Sequence, residues 1–245
     1  MKTYRYSCVF LATAALAACG AAQSPTGFRA PAAAVTGEVT LRVSGSHAVE
    51  TDASKVVVWL VPVETVQSAR LTTENSHYRL LQHNKRFEPG LLVVPVGSVV
   101  DFPNADPWFH NVFSLYRGKR FDLGLYQAGA LRSVRFDRIG PSYLFCNIHP
   151  EMTGVVLAVD SELFGVTGKN GRYSITRVAP GKYILHVWHE NAAPESLQAL
   201  QRTVTIEENN RVLPAISLTM VKRAPTEHKN KYGEDYDPET VKTDY

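Results

Sequence analysis

From residue 37 onward, apolar side chains either alternate with polar ones or run unbroken for a few positions, and Gly, Pro, Asn or Asp closes most of these runs. That pattern leaves little room for helices and calls for many short strands. Residues 37–43 (GEVTLRV) alternate, as a half-buried strand does, whereas 55–61 (KVVVWLV) is continuously apolar and suits a strand covered on both faces. Further strands are expected over 91–94, 98–102, 110–115, 133–136, 142–146 and 154–159, with a polar loop over 64–78. The turns Gly168-Lys169-Asn170-Gly171 and Ala179-Pro180-Gly181 punctuate a second set over 172–175, 183–188, 202–206 and 213–220. Only 195–202 reads as a short helix. Short strands at such spacing predict an all-β chain of sandwich or barrel type.

The N-terminus reads as an export leader. Lys2 and Arg5 precede the apolar stretch CVFLATAALAA, which is too short to span a bilayer as a helix. It ends in Leu16-Ala17-Ala18-Cys19-Gly20, which resembles a bacterial lipobox and makes Cys19 the expected lipidation site. Residues 1–19 are thus assigned to the signal peptide and 20–35 to a flexible tether. Periplasmic localisation follows, with the protein held at a membrane through the lipid on Cys19. With 26 basic against 23 acidic side chains, and Lys2 and Arg5 leaving with the leader, no basic surface for nucleic acid is expected. After residue 220 the chain is charged and poor in aliphatics, so 221–245 is expected to be a disordered tail.

Cys8 departs with the leader and Cys19 is acylated, so Cys146 is the sole free thiol of the folded part, in an oxidising compartment. It opens Cys146-Asn147-Ile148-His149-Pro150-Glu151-Met152, which sets a thiolate, an imidazole and a thioether within seven residues at the end of an apolar run. A second imidazole, His110, stands upstream in Asp106-Pro107-Trp108-Phe109-His110-Asn111-Val112. Two His and one Cys with a weak axial Met are the donor set of an electron-transfer copper site. Zinc is the metallic rival; it wants a fourth strong ligand, for which only Glu151 or Asp106 is at hand. A buried small hydrophobe is the commonest fate of a lone Cys, and core packing that of a lone Met.

The C-x-x-H-P-x-M loop, with the earlier H-N-V segment, resembles the cupredoxins, and its spacing is most similar to the ligand loop of amicyanin. Phe87-Glu88-Pro89-Gly90 and the stretch 94–104 (VPVGSVVDFPN) resemble the frame that precedes the first copper histidine in that family. The likeness covers about 76–160. More broadly the chain resembles exported cupredoxin-domain proteins labelled methylamine utilization proteins. The resemblance implies a Greek-key β-sandwich holding one copper ion, Cu(II)/Cu(I), through His110, Cys146, His149 and axial Met152. It further implies that Asn111 ties the two ligand segments together, and that redox proteins of the bacterial envelope are the partners. Glu151 departs from the apolar residue usual there. Residues 164–190 resemble carboxypeptidase-regulatory-like β-sandwiches, whose first strands match 36–63. The cupredoxin unit, 76–160, is therefore expected to sit inside a second small sandwich built from 36–63 and 161–220. Two consecutive domains are the simpler alternative.

His186 and His189 lie three apart and make a poor metal pair on a strand. No cluster for a trinuclear copper centre and no nucleophile-elbow, zincin, P-loop or dinucleotide motif occurs, so no enzyme activity is expected. A one-electron carrier is the economical expectation. Copper sequestration or delivery with the same ligands is the alternative, and an envelope sandwich with an incidental Cys146 is the third.

Overall fold

The computed structural model describes residues 33–45, 49–64, 76–115, 118–221 and 229–236. Cys8, Cys19, His47, Tyr116 and His228 lie outside them, as do the leader, most of the tether and most of the tail. The described chain is all-β apart from one short helix, α1 (Pro194–Leu200). None of its helices is long and apolar enough to cross a membrane.

Four sheets are stacked as layers. The first has the order β14 (Arg172–Val178), β1 (Ala33–Val43), β17 (Ile216–Met220). It faces a sheet ordered β13 (Phe164–Val166), β2 (Val57–Pro62), β15 (Gly181–Trp188), β16 (Arg202–Ile206) across a core that includes Val39, Leu41, Val58, Leu60, Ile175, Leu185 and Leu218. The third sheet is ordered β6 (Leu91–Pro95), β12 (Thr153–Val159), β11 (Gly140–Phe145), β8 (His110–Ser114), β9 (Phe121–Tyr126). It faces β10 (Leu131–Arg135), β7 (Val99–Pro103) and β3 (His77–Arg79) across a second core containing Val94, Phe102, Val112, Phe136, Leu144 and Val156. A two-stranded ribbon of β4 (Leu81–His83) and β5 (Arg86–Glu88) lies beside this core, with Phe87 in it.

The two middle sheets bury their outer faces on each other. Val57 and Trp188 from one join Val93, Val155, Leu157 and Val159 from the other in a third cluster. This explains the unbroken apolar runs: Val58 and Leu60 of β2 point into the first core while Val57 points the opposite way, as the two-residue period requires. In β12 the split is Val156 and Ala158 against Val155, Leu157 and Val159. Trp59 is half-buried at the edge of this third cluster, donating to Asp160 (2.8 Å) and stacking on His186 at 4.9 Å between ring centroids.

Strand pairing links the start of the chain to its second half. β1 pairs with β14 and β17, and β2 with β13 and β15, while β3 to β12 pair only among themselves. The expected strands over 37–43, 55–61, 91–94, 98–102, 110–115 and 154–159 all have counterparts within a few residues. Strands β3, β4, β5, β9 and β13 were not anticipated. Four of them span three residues each, too short for a period to show, and β9 carries Gly124 at φ +67°.

Candidate metal centre

The centre is built where β8 begins and β11 ends. Phe145 pairs with Thr153 across β11 and β12, and with Phe113 across β11 and β8, so the loop 146–152 is closed beside the strand that starts at His110. Within that loop the Cys146 N–H donates to the Met152 carbonyl (3.2 Å) and the Met152 N–H to that of His149 (3.0 Å). Loop conformation and strand register together therefore bring the three donors into one place.

His110 Nδ1 and His149 Nδ1 are 3.1 Å apart, and Cys146 Sγ lies 3.9 Å and 3.7 Å from them. A point equidistant from these atoms is about 2.1 Å from each, the bond length of imidazole nitrogen to a divalent ion and slightly short of that for thiolate. All three side chains are buried, His149 the least so at 4% exposure. Among the described residues this is the one cluster of His, Cys, Asp and Glu with its donor atoms so close. Met152 is fully buried in the same core as Cys146, one residue before β12.

Electrostatics favour neutral imidazoles. Burial pushes His110 below the usual histidine range against the pull of Asp106. Burial and the neighbouring His110 push His149 down to about 4. Burial raises the Cys146 thiol, opposed by the backbone N–H groups of Asn111, Ile148 and His149 aimed at its sulfur. Those N–H groups stand ready to stabilise a thiolate once a cation replaces the proton.

Asp106 sits behind the site. Its Oδ2 accepts from His110 Nε2 (2.8 Å) and Lys85 N (2.9 Å), and its Oδ1 from Asn84 N (2.6 Å). The β4–β5 turn supplies both backbone donors. Burial pushes the Asp106 carboxyl up, but these three donors more than reverse it, so it remains ionised. With Nε2–H given to a carboxylate, His110 keeps the Nδ1 lone pair for a metal. Asp106 therefore supports a ligand rather than supplying the fourth one zinc would need, and the chain's spacing alone does not separate those two roles. Glu151 is exposed.

Asn111 differs from expectation. Its side chain donates to Asp122 Oδ1 (2.7 Å) and to the Gly124 carbonyl (2.9 Å), both on β9, and not to the Cys146 loop. The physical reason is strand alternation: with His110 turned into the site, its neighbour points away. Its contribution to the centre is the backbone N–H on the sulfur. His189 is buried at the end of β15, where its Nδ1 accepts from Asn191 N (3.3 Å), and it takes no part in the cluster.

The sequence reading also missed the tail. Residues 229–236, expected to be without order, make a turn that reaches this site: the Tyr236 hydroxyl donates to the Cys146 carbonyl (2.8 Å) and the Lys231 N–H to Asn147 Oδ1 (2.9 Å).

No protein-family profile and no curated protein matches the chain. Similar solved structures are copper proteins. A copper-containing nitrite reductase (NirK) from Thermus scotoductus SA-01 is 22% identical, over 34% of this chain and 22% of its own length, with a TM-score of 0.33. A purple cupredoxin from Nitrosopumilus maritimus is 24% identical over 34% of this chain and 99% of its own, with a TM-score of 0.31. A Cu(I) form of an amicyanin mutant is 21% identical over 34% and 83%, with a TM-score of 0.33. The chain spans about a fifth of the nitrite reductase, and all three scores are low. The chemical assignment therefore rests on the side chains themselves.

Proposed function

We propose that this chain is an exported copper protein that carries single electrons through His110, Cys146, His149 and Met152. One observation carries the proposal: two imidazole nitrogens and one thiol sulfur converge, buried, at distances that suit a three-coordinate ion, with a thioether in the same core. Zinc sites of structural type want four strong donors. Three strong donors and a thioether suit copper, the soft sulfurs favouring Cu(I) and the imidazoles accommodating Cu(II). Bound there, copper supplies a one-electron couple.

The chain's own residues do the rest. Asp106 holds His110 in the tautomer that presents Nδ1. Three backbone N–H groups stabilise the Cys146 sulfur. The closed loop and the packed core keep the donors in one arrangement, which lowers the reorganisation an electron transfer demands. Phe109, next to ligand His110, is exposed, as is Leu125, the β9 partner of Asn111, and together they supply apolar surface beside the ligand strand for a redox protein of the envelope.

Export by the 1–19 leader, a lipid on Cys19 and a periplasmic location belong to the same proposal. So does a cupredoxin unit at 76–160 inserted in the other sandwich, which the pairing of β2 with β13 and β15 supports. The test is the visible absorption spectrum of the full-length protein loaded with Cu(II), beside Cys146→Ser. An intense thiolate-to-copper band, lost in the variant, is the expected result, and a colourless wild type that takes up no copper refutes the proposal. Repeated redox cycling then distinguishes a carrier, which keeps its copper, from a delivery protein, which yields Cu(I) to an acceptor.

A further inference from the structure

The tail segment 229–236 (KNKYGEDY) has almost nothing apolar to bury, yet it is organised by hydrogen bonds around one residue. Asn230 Oδ1 accepts from the N–H groups of Tyr232 (2.9 Å) and Glu234 (3.0 Å), the Asn230 carbonyl accepts from Gly233 N (3.0 Å), and Asn230 N donates to the Glu234 carbonyl (2.9 Å). Gly233, at φ +83°, takes the left-handed position the turn requires.

This turn is seated on the Cys146 loop and on β9, the strand paired with the His110 strand. On the Cys146 side, Tyr236 Oη donates to the Cys146 carbonyl and Lys231 N to Asn147 Oδ1. On the His110 side, Lys231 Nζ reaches Asp122 Oδ2 at 2.9 Å, and the other oxygen of that carboxylate holds Asn111. A continuous path thus runs from His110–Asn111 through Asp122 and Lys231 to Asn147–Cys146. The link between the ligand segments that the Asn111 side chain does not make directly is completed by the tail. Cys146 then has both backbone groups engaged, its N–H by Met152 and its carbonyl by Tyr236. With the Cys146 backbone held at both groups and its side chain fully buried, the sulfur has little room to swing off a metal while the tail stays docked.

We propose that residues 229–236 are an intramolecular clasp over the metal centre, in which Lys231 and Tyr236 are positioning residues that pin the Cys146 loop and slow the departure of copper. This rests on the copper assignment above. The clasp is polar and none of its residues belongs to the hydrophobic cores, so loosening it leaves the sheets intact.

Two measurements on the full-length protein test it. In the metal-free wild type, amide hydrogen exchange should show the Lys231 N–H protected, and Asn147→Ala should abolish that protection. In the Cu(I)-loaded protein, transfer to a bathocuproine-type chelator should be faster by about fivefold in Tyr236→Phe, the factor one neutral hydrogen bond supplies. It should be about tenfold faster in a chain ending at Val221, with thermal unfolding of the metal-free protein unchanged. Lys231→Ala should also speed release, and Lys231→Arg should restore the wild-type rate by re-forming the Asp122 pair. Release rates within twofold of wild type in all variants would overturn the clasp, as would an unprotected Lys231 amide in the wild type. The exchange measurement needs no metal. A chain that takes up no copper therefore overturns the copper assignment, while protection at Lys231 still supports the docked tail and its absence still refutes it.

Discussion

Replacing Asp106 with Asn is the sharpest probe of how the site is prepared for a metal. The carboxylate is 3% exposed and receives three donors: His110 Nε2 at 2.8 Å, Lys85 N at 2.9 Å and Asn84 N at 2.6 Å. Asn is nearly isosteric but exchanges one acceptor oxygen for an NH2 group. If the remaining oxygen stays on Asn84 N, the new NH2 group faces the His110 and Lys85 N–H groups, and each buried donor left without an acceptor costs about 1–3 kcal/mol. His110 can escape that cost by moving its proton to Nδ1, the atom 3.1 Å from His149 Nδ1 and 3.9 Å from Cys146 Sγ. A proton there occupies the lone pair the metal needs. The penalty then falls on binding, and about 1.4 kcal/mol per tenfold makes it roughly 10–100-fold in Cu(I) affinity, the range for losing the outer partner of a metal-ligating histidine. Competition against a Cu(I) chelator at pH 7 reads the affinity, and urea unfolding of the metal-free protein reads the fold. Affinity equal to wild type, with stability lowered by 1–3 kcal/mol, would refute the reasoning and reduce Asp106 to a tie for the turn.

Three further outcomes follow from the packing and charges. His149 is held neutral, down to about 4 against an ordinary 6.5, so the unfolded chain takes up its proton first as pH falls. Metal-free stability from this group is complete above about pH 6.5 and falls by about 3 kcal/mol on the way to pH 4, with His110 acting in the same direction; urea midpoints at pH 4.5 and 7 that coincide would contradict this. Gly171→Ala places a Cβ 2.1 Å from the Val39 carbonyl at φ +75° and should cost about 2–4 kcal/mol, seen as a lowered thermal midpoint. Leu157→Ala opens a cavity in the cluster between the two middle sheets and should cost about 2–5 kcal/mol in urea unfolding; a loss under 1 kcal/mol would mean those sheets are not packed as described.

Much of the fold is legible because β-structure writes its period locally. The alternation in 37–43 and the unbroken runs 55–61 and 154–159 mark β1, β2 and β12, and the unbroken runs also announce strands covered on both sides. What covers them is not written there. Val57 and Leu157 share one buried cluster across two sheets from strands about a hundred residues apart, a neighbourhood no local window contains. The tail fails for a different reason. Composition measures capacity to bury apolar surface, and residues 229–236 are held by an Asn-centred turn, two hydrogen bonds to the Cys146 loop and one to Asp122 on β9 instead.

The closeness of the candidate donors within the loop is written in the chain itself. Two residues between Cys146 and His149, and two between His149 and Met152, hold those side chains close whatever the rest of the chain does. The tertiary structure alone decided that His110 joins them, through the Phe113–Phe145 register between β8 and β11. It also decided that Asp106 stands behind His110 as a support and not beside it as a ligand, that Asn111 faces β9, and that the tail closes over Cys146. Short chain spacing limits distance, but the direction a side chain takes depends on strand register and on what packs against it, and those are set by residues far away in the chain.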